Sequence, residues 1–259
     1  MNSRFGKEEP PKPYLCEVNV LQEIIYGKEA GEKKLAFLID PDKVDTGNVE
    51  QLFKGFEAFP PDFIFVGGSL ITEEKFNETA KAIRKATSLP IILFPGSPTQ
   101  LCSEVDAVLF LSLISGRNPE LLIGHHVVAA PRVKELCLET IATGYILIDG
   151  GKPTTASYIS NTSPIPRDKP EIAAATALAG EMLGLNCMYL DAGSGAELRV
   201  PSETIQQVSK SVATPVIVGG GIRNMHQVKE AFSAGADIVV IGTALERNPE
   251  LIADFQLNA

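Results

Sequence analysis

The chain reads as an α/β protein, a modified (β/α)8 barrel, on three observations. Eight short apolar runs recur along it, segments with helical patterning separate most of them, and the 259 residues match the roughly 250 that one such barrel uses. The runs are near-continuously apolar rather than alternating, as strands covered on both faces of a parallel sheet are.

In chain order the expected strands are LAFLID (35–40), FIFVGG (63–68), PIILFPG (90–96), AVLFLSLIS (107–115), GYILIDGG (144–151), CMYLDAG (187–193), PVIVGGG (215–221) and DIVVIGT (237–243). VEQLFKGFEAF follows the first strand and EEKFNETAKAIRKAT the second; PEIAAATALAGEMLG, SETIQQVSKSV and MHQVKEAFSAG precede the sixth, seventh and eighth. Gly184 and Gly235 supply helix stops. The connections after strands three and four are less regular, although NPELLIGHHVVAAPRVKEL contains a helical stretch. One domain is expected over 1–259: a flexible tail at 1–13, an extra helix at 14–27 lying outside the barrel or across its bottom, and the barrel at 35–251. The segment 152–170, KPTTASYISNTSPIPRDKP, breaks the rhythm with Pro, Ser and Thr and no helical face. It follows a strand, so it stands on the C-terminal face, where barrel enzymes build their sites.

A net charge of −9 argues against a nucleic-acid or membrane-surface binder, which needs a basic face, yet leaves room for an anionic substrate held by backbone amides. The scattered cysteines, Cys16, Cys102, Cys137 and Cys187, form no CxxC pair, which fits a reducing cytoplasm. No signal peptide and no membrane-length apolar run is visible.

The chemistry gathers at strand ends. Glycine-rich ends close strands six, seven and eight, in AGSGA, GGGI and IGTA, where barrels commonly hold phosphate on backbone N–H groups. The bland alternative is that these glycines only turn the chain, and Gly219 can do that alone. Asp191 precedes the first glycine end, placed to accept hydrogen bonds from substrate hydroxyls and assist proton removal, or else to serve as a turn acid. Across the mouth, Asp40 in LIDPDK is a turn residue or, with Ser69 of GGSLIT, a pair of hard oxygen ligands for Mg²⁺. Asp42 reads as a solvated loop residue, and Lys43 as a phosphate partner or a balancing charge. Arg117 and Lys152 also follow strands and are equally readable as diphosphate contacts or surface cations. His125 and His126 are adjacent on a helix and face different ways, so they make no metal pair, and His226 only starts a helix; no Ser/His/Asp arrangement or zinc spacing is present.

Together FLIDPDK, FVGGSLIT, LPIILFPGSPTQ, FLSLISGRNPELLIGHH, TGYILIDGGKPT, YLDAGSGA, VIVGGGIRN and VVIGTALE resemble the geranylgeranylglyceryl phosphate synthase and heptaprenylglyceryl phosphate synthase family, from about residue 14 to 251. The resemblance implies a Mg²⁺-dependent prenyltransferase of ether-phospholipid biosynthesis, joining the C3 hydroxyl of sn-glycerol 1-phosphate to geranylgeranyl diphosphate and releasing diphosphate. It implies Mg²⁺ at Asp40 and Ser69, and glycerol phosphate at Tyr189, Leu190, Asp191, Ala192, Gly193, Ser194, Gly195, Gly220, Gly221, Gly242 and Thr243. Asp191 stands where the family often has glutamate. An apolar groove for the prenyl chain is expected from the early strands, with Phe94, Leu111 and Leu113 as contributors or as plain strand core. The loop at 152–170 is expected to close over the site. A homo-oligomer, dimer or hexamer, a cytoplasmic location, transient membrane contact for product release and no nucleic-acid partner complete the expectation. Other chain lengths, a phosphosugar isomerase or flavin-dependent barrel sharing the late phosphate site, and a non-catalytic polyol-phosphate binder are the alternatives.

Overall fold

The computed structural model describes residues 19–57, 59–68 and 73–242. Eight parallel strands close into a barrel in chain order: β1 Lys34–Ile39, β2 Phe63–Val66, β3 Ile91–Leu93, β4 Ala107–Leu113, β5 Glu139–Leu147, β6 Cys187–Asp191, β7 Val216–Gly219 and β8 Ile238–Ile241, with β8 pairing back onto β1. The helices are α1 Val20–Glu29, α2 Val49–Phe56, α3 Glu73–Ala86, α4 His125–Glu135, α5 Thr155–Ser160, α6 Pro170–Met182, α7 Ser202–Ser211 and α8 Met225–Ser233.

The continuous apolarity of the strands has its cause in two cores. Alternate residues point inward, where Phe63, Phe65, Ile92, Leu109, Ile141 and Ile217 fill the barrel; their neighbours point outward and pack under the helices. Val20 and Ile24 of α1 join the inner core, so α1 lies across the bottom of the barrel. Glu139, the first residue of β5, fixes it there by accepting the Val20 and Leu21 N–H groups at 2.7 and 2.9 Å, satisfying two of the helix's orphan donors.

The structure departs from the sequence expectation in four places. No helix joins β3 to β4: residues 94–106 run as turns, because Pro95, Gly96 and Pro98 break any helical pattern there. One β/α pair is therefore incomplete, and the outer face of β4 is left with room beside it. β5 begins at Glu139 rather than Gly144, its polar Glu and Thr residues hiding its start. The helical stretch after β4 opens with a π-helical turn, Glu120–Gly124, before α4. The segment 152–170 does carry a helix, α5: Thr154 caps it through the Ser157 N–H, and Asn161 ends it in the left-handed conformation. Ile165 then pairs in parallel with Ile148, extending the sheet beyond β5. The expected tail at 1–13 and residues 14–18 of the expected first helix lie outside the described residues, as does the chain after 242.

Candidate active site

The C-terminal ends of the strands open onto a cavity of about 570 Å³. Asp40, Lys43, Gly68, Asp191, Ser194 and Gly242 line its polar part, so residues from both sides of the barrel mouth face one space. From there the cavity continues past Phe94 and Leu111 to Val108, Phe110, Ala129 and Val133, along the outer face of β4 where no helix follows β3. Phe94, Leu111 and Leu113 all lie in its wall, and Thr155, Ala156 and Ile159 place α5 over it.

The late side is built from backbone. Gly193, Gly195, Gly220 and Gly221 all hold positive φ, between 72° and 91°. At Gly220 a Cβ meets Asp191 Oδ1 at 2.5 Å and the Gly193 nitrogen at 2.7 Å, so the ends of β6 and β7 touch without a side chain between them. Gly219, in β7, leaves space of another kind, since a Cβ meets the Tyr189 hydroxyl at 2.5 Å. Arg223 Nη2 donates to the Ala196 carbonyl at 2.9 Å, and Arg167 Nη1 donates to the Arg199 carbonyl at 3.1 Å; between them they pin the glycine loop after β6.

Asp191 is the acid of this side. It is only 6% exposed, and both oxygens accept hydrogen bonds: Oδ1 from the Gly193 N–H at 2.7 Å and Oδ2 from the Tyr145 hydroxyl at 2.5 Å. Burial raises its pKa, and the two hydrogen bonds oppose that rise without cancelling it. The Tyr145 and Tyr189 hydroxyls are held well above the usual phenol range, by burial first and by the nearby Asp191 charge second.

The expected phosphate-side residues divide. Asp191, Ser194 and Gly242 line the cavity. Tyr189 sits behind it, 1% exposed, stacked on Phe94 with centroids 5.2 Å apart and edge-on to Tyr145 at 5.5 Å. Leu190 points outward into the core under the helices, and Ala192 is buried with it. Gly193, Gly195, Gly220 and Gly221 form the adjoining loop rather than the cavity wall. Thr243 and Ser69 lie outside the described residues.

On the early side, Asp40 Oδ1 accepts the Asp42 N–H at 3.1 Å and Oδ2 pairs with Lys43 at 2.9 Å. Among the described residues no three acidic, His or Cys side chains converge as a metal cage. Mg²⁺ does not need one, because it keeps waters and substrate phosphate oxygens in its shell and takes one or two carboxylates from the protein. Asp40, facing the cavity, fits that demand. Arg117 folds onto its own loop, donating to the Gly116 carbonyl at 2.6 Å, and Lys152 pairs with Glu197 at 3.7 Å; neither lines the cavity. His126 is buried edge-on against Phe110, with Nε2 at 3.3 Å from Ser112 Oγ, and burial lowers its pKa. Tyr145 was not among the expected site residues, although it and Tyr189 are the two tyrosines inside predicted strands.

A model of the PcrB family matches residues 28–258. The geranylgeranylglyceryl phosphate synthase of Chitinophaga pinensis is 49% identical over 236 residues, covering 91% of this chain and 94% of that protein. That of Spirosoma linguale is 51% identical over 225 residues, covering 87% and 90%. The crystal structure of (S)-3-O-geranylgeranylglyceryl phosphate synthase from Thermoplasma acidophilum in complex with its substrate sn-glycerol-1-phosphate aligns with a TM-score of 0.86 at 33% identity, covering 92% of this chain and 96% of that one.

Proposed function

The chain belongs to the PcrB family, and from that premise we infer that it is a prenyltransferase that joins the C3 hydroxyl of sn-glycerol 1-phosphate to geranylgeranyl diphosphate, releasing diphosphate. One observation in the structure carries the reading: a single cavity runs from a buried carboxylate beside glycine-built strand ends into an apolar channel along β4. A small polyol phosphate suits the first part and an isoprenoid chain the second.

In this reading the glycerol phosphate sits on the late side, with its phosphate on the amides of the 193–195 and 220–221 loops and of Gly242 and Thr243, and its hydroxyls toward Asp191. Asp40 and Ser69 would hold Mg²⁺, which when bound neutralises charge on the leaving diphosphate. The allylic carbon tolerates positive character, so positioning matters more than base strength. The α5 segment over the cavity supports a role in excluding water from the reacting carbon.

The cytoplasm is the proposed location: no helix among the described residues is long and apolar enough to cross a membrane, and buried Cys102 and Cys187 fit a reducing compartment. The product is an amphiphile, so its release calls for transient contact with a membrane. Exposed Ile123, Val127 and Val128 support a homo-oligomer, dimer or hexamer; a purely monomeric mass at micromolar concentration overturns it.

The reaction is tested by incubating the protein with Mg²⁺, labelled sn-glycerol 1-phosphate and prenyl diphosphates of graded length, then extracting into organic solvent. A labelled geranylgeranyl ether is the expected result. A longer product moves the assignment to the heptaprenyl activity. No organic label with any donor, in protein that still binds glycerol phosphate, leaves a polyol-phosphate binder.

A further inference from the structure

Asp191 reaches the cavity but offers it little surface. Its Oδ1 already accepts the Gly193 N–H and its Oδ2 the Tyr145 hydroxyl, and only 6% of the residue is exposed. Tyr145 is placed differently. Like Asp191 it lines the cavity, but it keeps more of its surface open, while its ring is held edge-on by Phe94 at 5.8 Å and Tyr189 at 5.5 Å. Its one proton is committed to Asp191, so the phenol oxygen has only acceptor capacity left to offer the cavity. The position follows from the sheet: Tyr145 is in register with Tyr189, and its long side chain reaches up to Asp191, two residues further along β6.

Resting on the function inferred above, we propose that Tyr145 is a catalytic residue of the prenyl transfer, a proton relay between the glycerol C3 hydroxyl and Asp191. As the C3 oxygen forms its bond to C1 of the prenyl donor, the C1–oxygen bond to diphosphate breaks and its electron pair leaves with the diphosphate. The hydroxyl proton passes to Tyr145 Oη, and the phenolic proton passes to Asp191 Oδ2. Tyr145 is neutral before and after, and Asp191 ends neutral. Both end states suit the surroundings, since burial disfavours a phenolate at Tyr145 and favours the neutral acid at Asp191.

The test compares full-length wild type, Tyr145→Phe, Asp191→Asn and the double variant in steady-state transfer from geranylgeranyl diphosphate to sn-glycerol 1-phosphate. Tyr145→Phe keeps the ring and removes only the relay oxygen. The expected result is a fall in kcat of about 10²-fold with KM for glycerol phosphate within about threefold. Because the two groups act in series, the double variant should be no slower than the slower single variant. A single-turnover rate in mixed light and heavy water should curve with deuterium fraction in the wild type, since two protons move together; this needs no variant. Near-wild-type kcat in Tyr145→Phe, multiplied losses in the double variant, or a straight-line isotope dependence each overturns the relay. A wild-type protein that transfers no prenyl group overturns the function itself, and the relay with it.

Discussion

The two parts of the cavity are made by different means. The late side is backbone against backbone: glycines at positive φ bring the ends of β6 and β7 so close that Gly220 leaves no room for a methyl group beside Asp191. The channel along β4 is made of side chains, Phe110, Ala129 and Val133 among them, filling the flank that a helix after β3 would otherwise cover. The difference teaches where variation is tolerated. A backbone-built site has few intermediate states, so a substitution either fits or displaces the acid, whereas a side-chain-built channel changes depth by increments of one group.

The largest effect is expected at the early end of the polar part. If Asp40 holds the metal, Asp40→Ala lowers transfer by about 10³-fold while calorimetric binding of glycerol phosphate persists; loss of both together shows that the two sides are not separable. Next comes the contrast within the glycine loops. Gly220→Ala should reduce kcat/KM for glycerol phosphate by about 10²-fold, because the methyl group meets Asp191 and the strand-six end. Gly195→Ala, also at positive φ but with no protein atom near its Cβ, keeps the backbone amide proposed to meet phosphate and should cost about 1–2 kcal/mol of stability and less activity than Gly220→Ala. Equal activity losses at the two would mean that φ, not the close approach, sets the geometry.

In the channel the response should be graded. Val133→Phe is expected to cut turnover of geranylgeranyl diphosphate about tenfold and spare a short geranyl donor, read from competing product yields. A uniform loss across donors would place the prenyl chain elsewhere. The smallest effect concerns stability. Because burial raises the Asp191 pKa, the folded state binds its proton more tightly than the unfolded chain does. Its contribution is therefore fully present below the ordinary aspartate pKa and is lost as pH rises through the folded value. Asp191→Asn should raise Tm slightly at neutral pH, and the gain should vanish in acid; a gain independent of pH removes ionisation as its cause.

Much of this was legible in the sequence. Eight β-branched runs marked the strands because a strand buried on both faces admits little else, and among the glycines after β6 and β7, Gly193, Gly220 and Gly221 marked places where a side chain could not fit. Helix α5 was hidden because its cap, Thr154 with Ser157, lies in a Ser- and Thr-rich segment with no apolar stripe. The start of β5 was hidden by Glu139, a residue that belongs to α1's N-terminus as much as to its own strand. Tyr145 was visible as a strand residue but not as a partner, since nothing local marks which hydroxyl will face which acid.

The sequence by itself therefore determined the strands, the turns and the glycine-lined ends, all of which depend on neighbours a few residues away. Tertiary structure alone decided that β8 closes onto β1, that the flank after β3 stays open as a channel, and that Tyr145 meets Asp191 across 46 residues of chain. The reason is that strand periodicity is a local property, whereas register around a closed barrel is set only when every strand has found its neighbours.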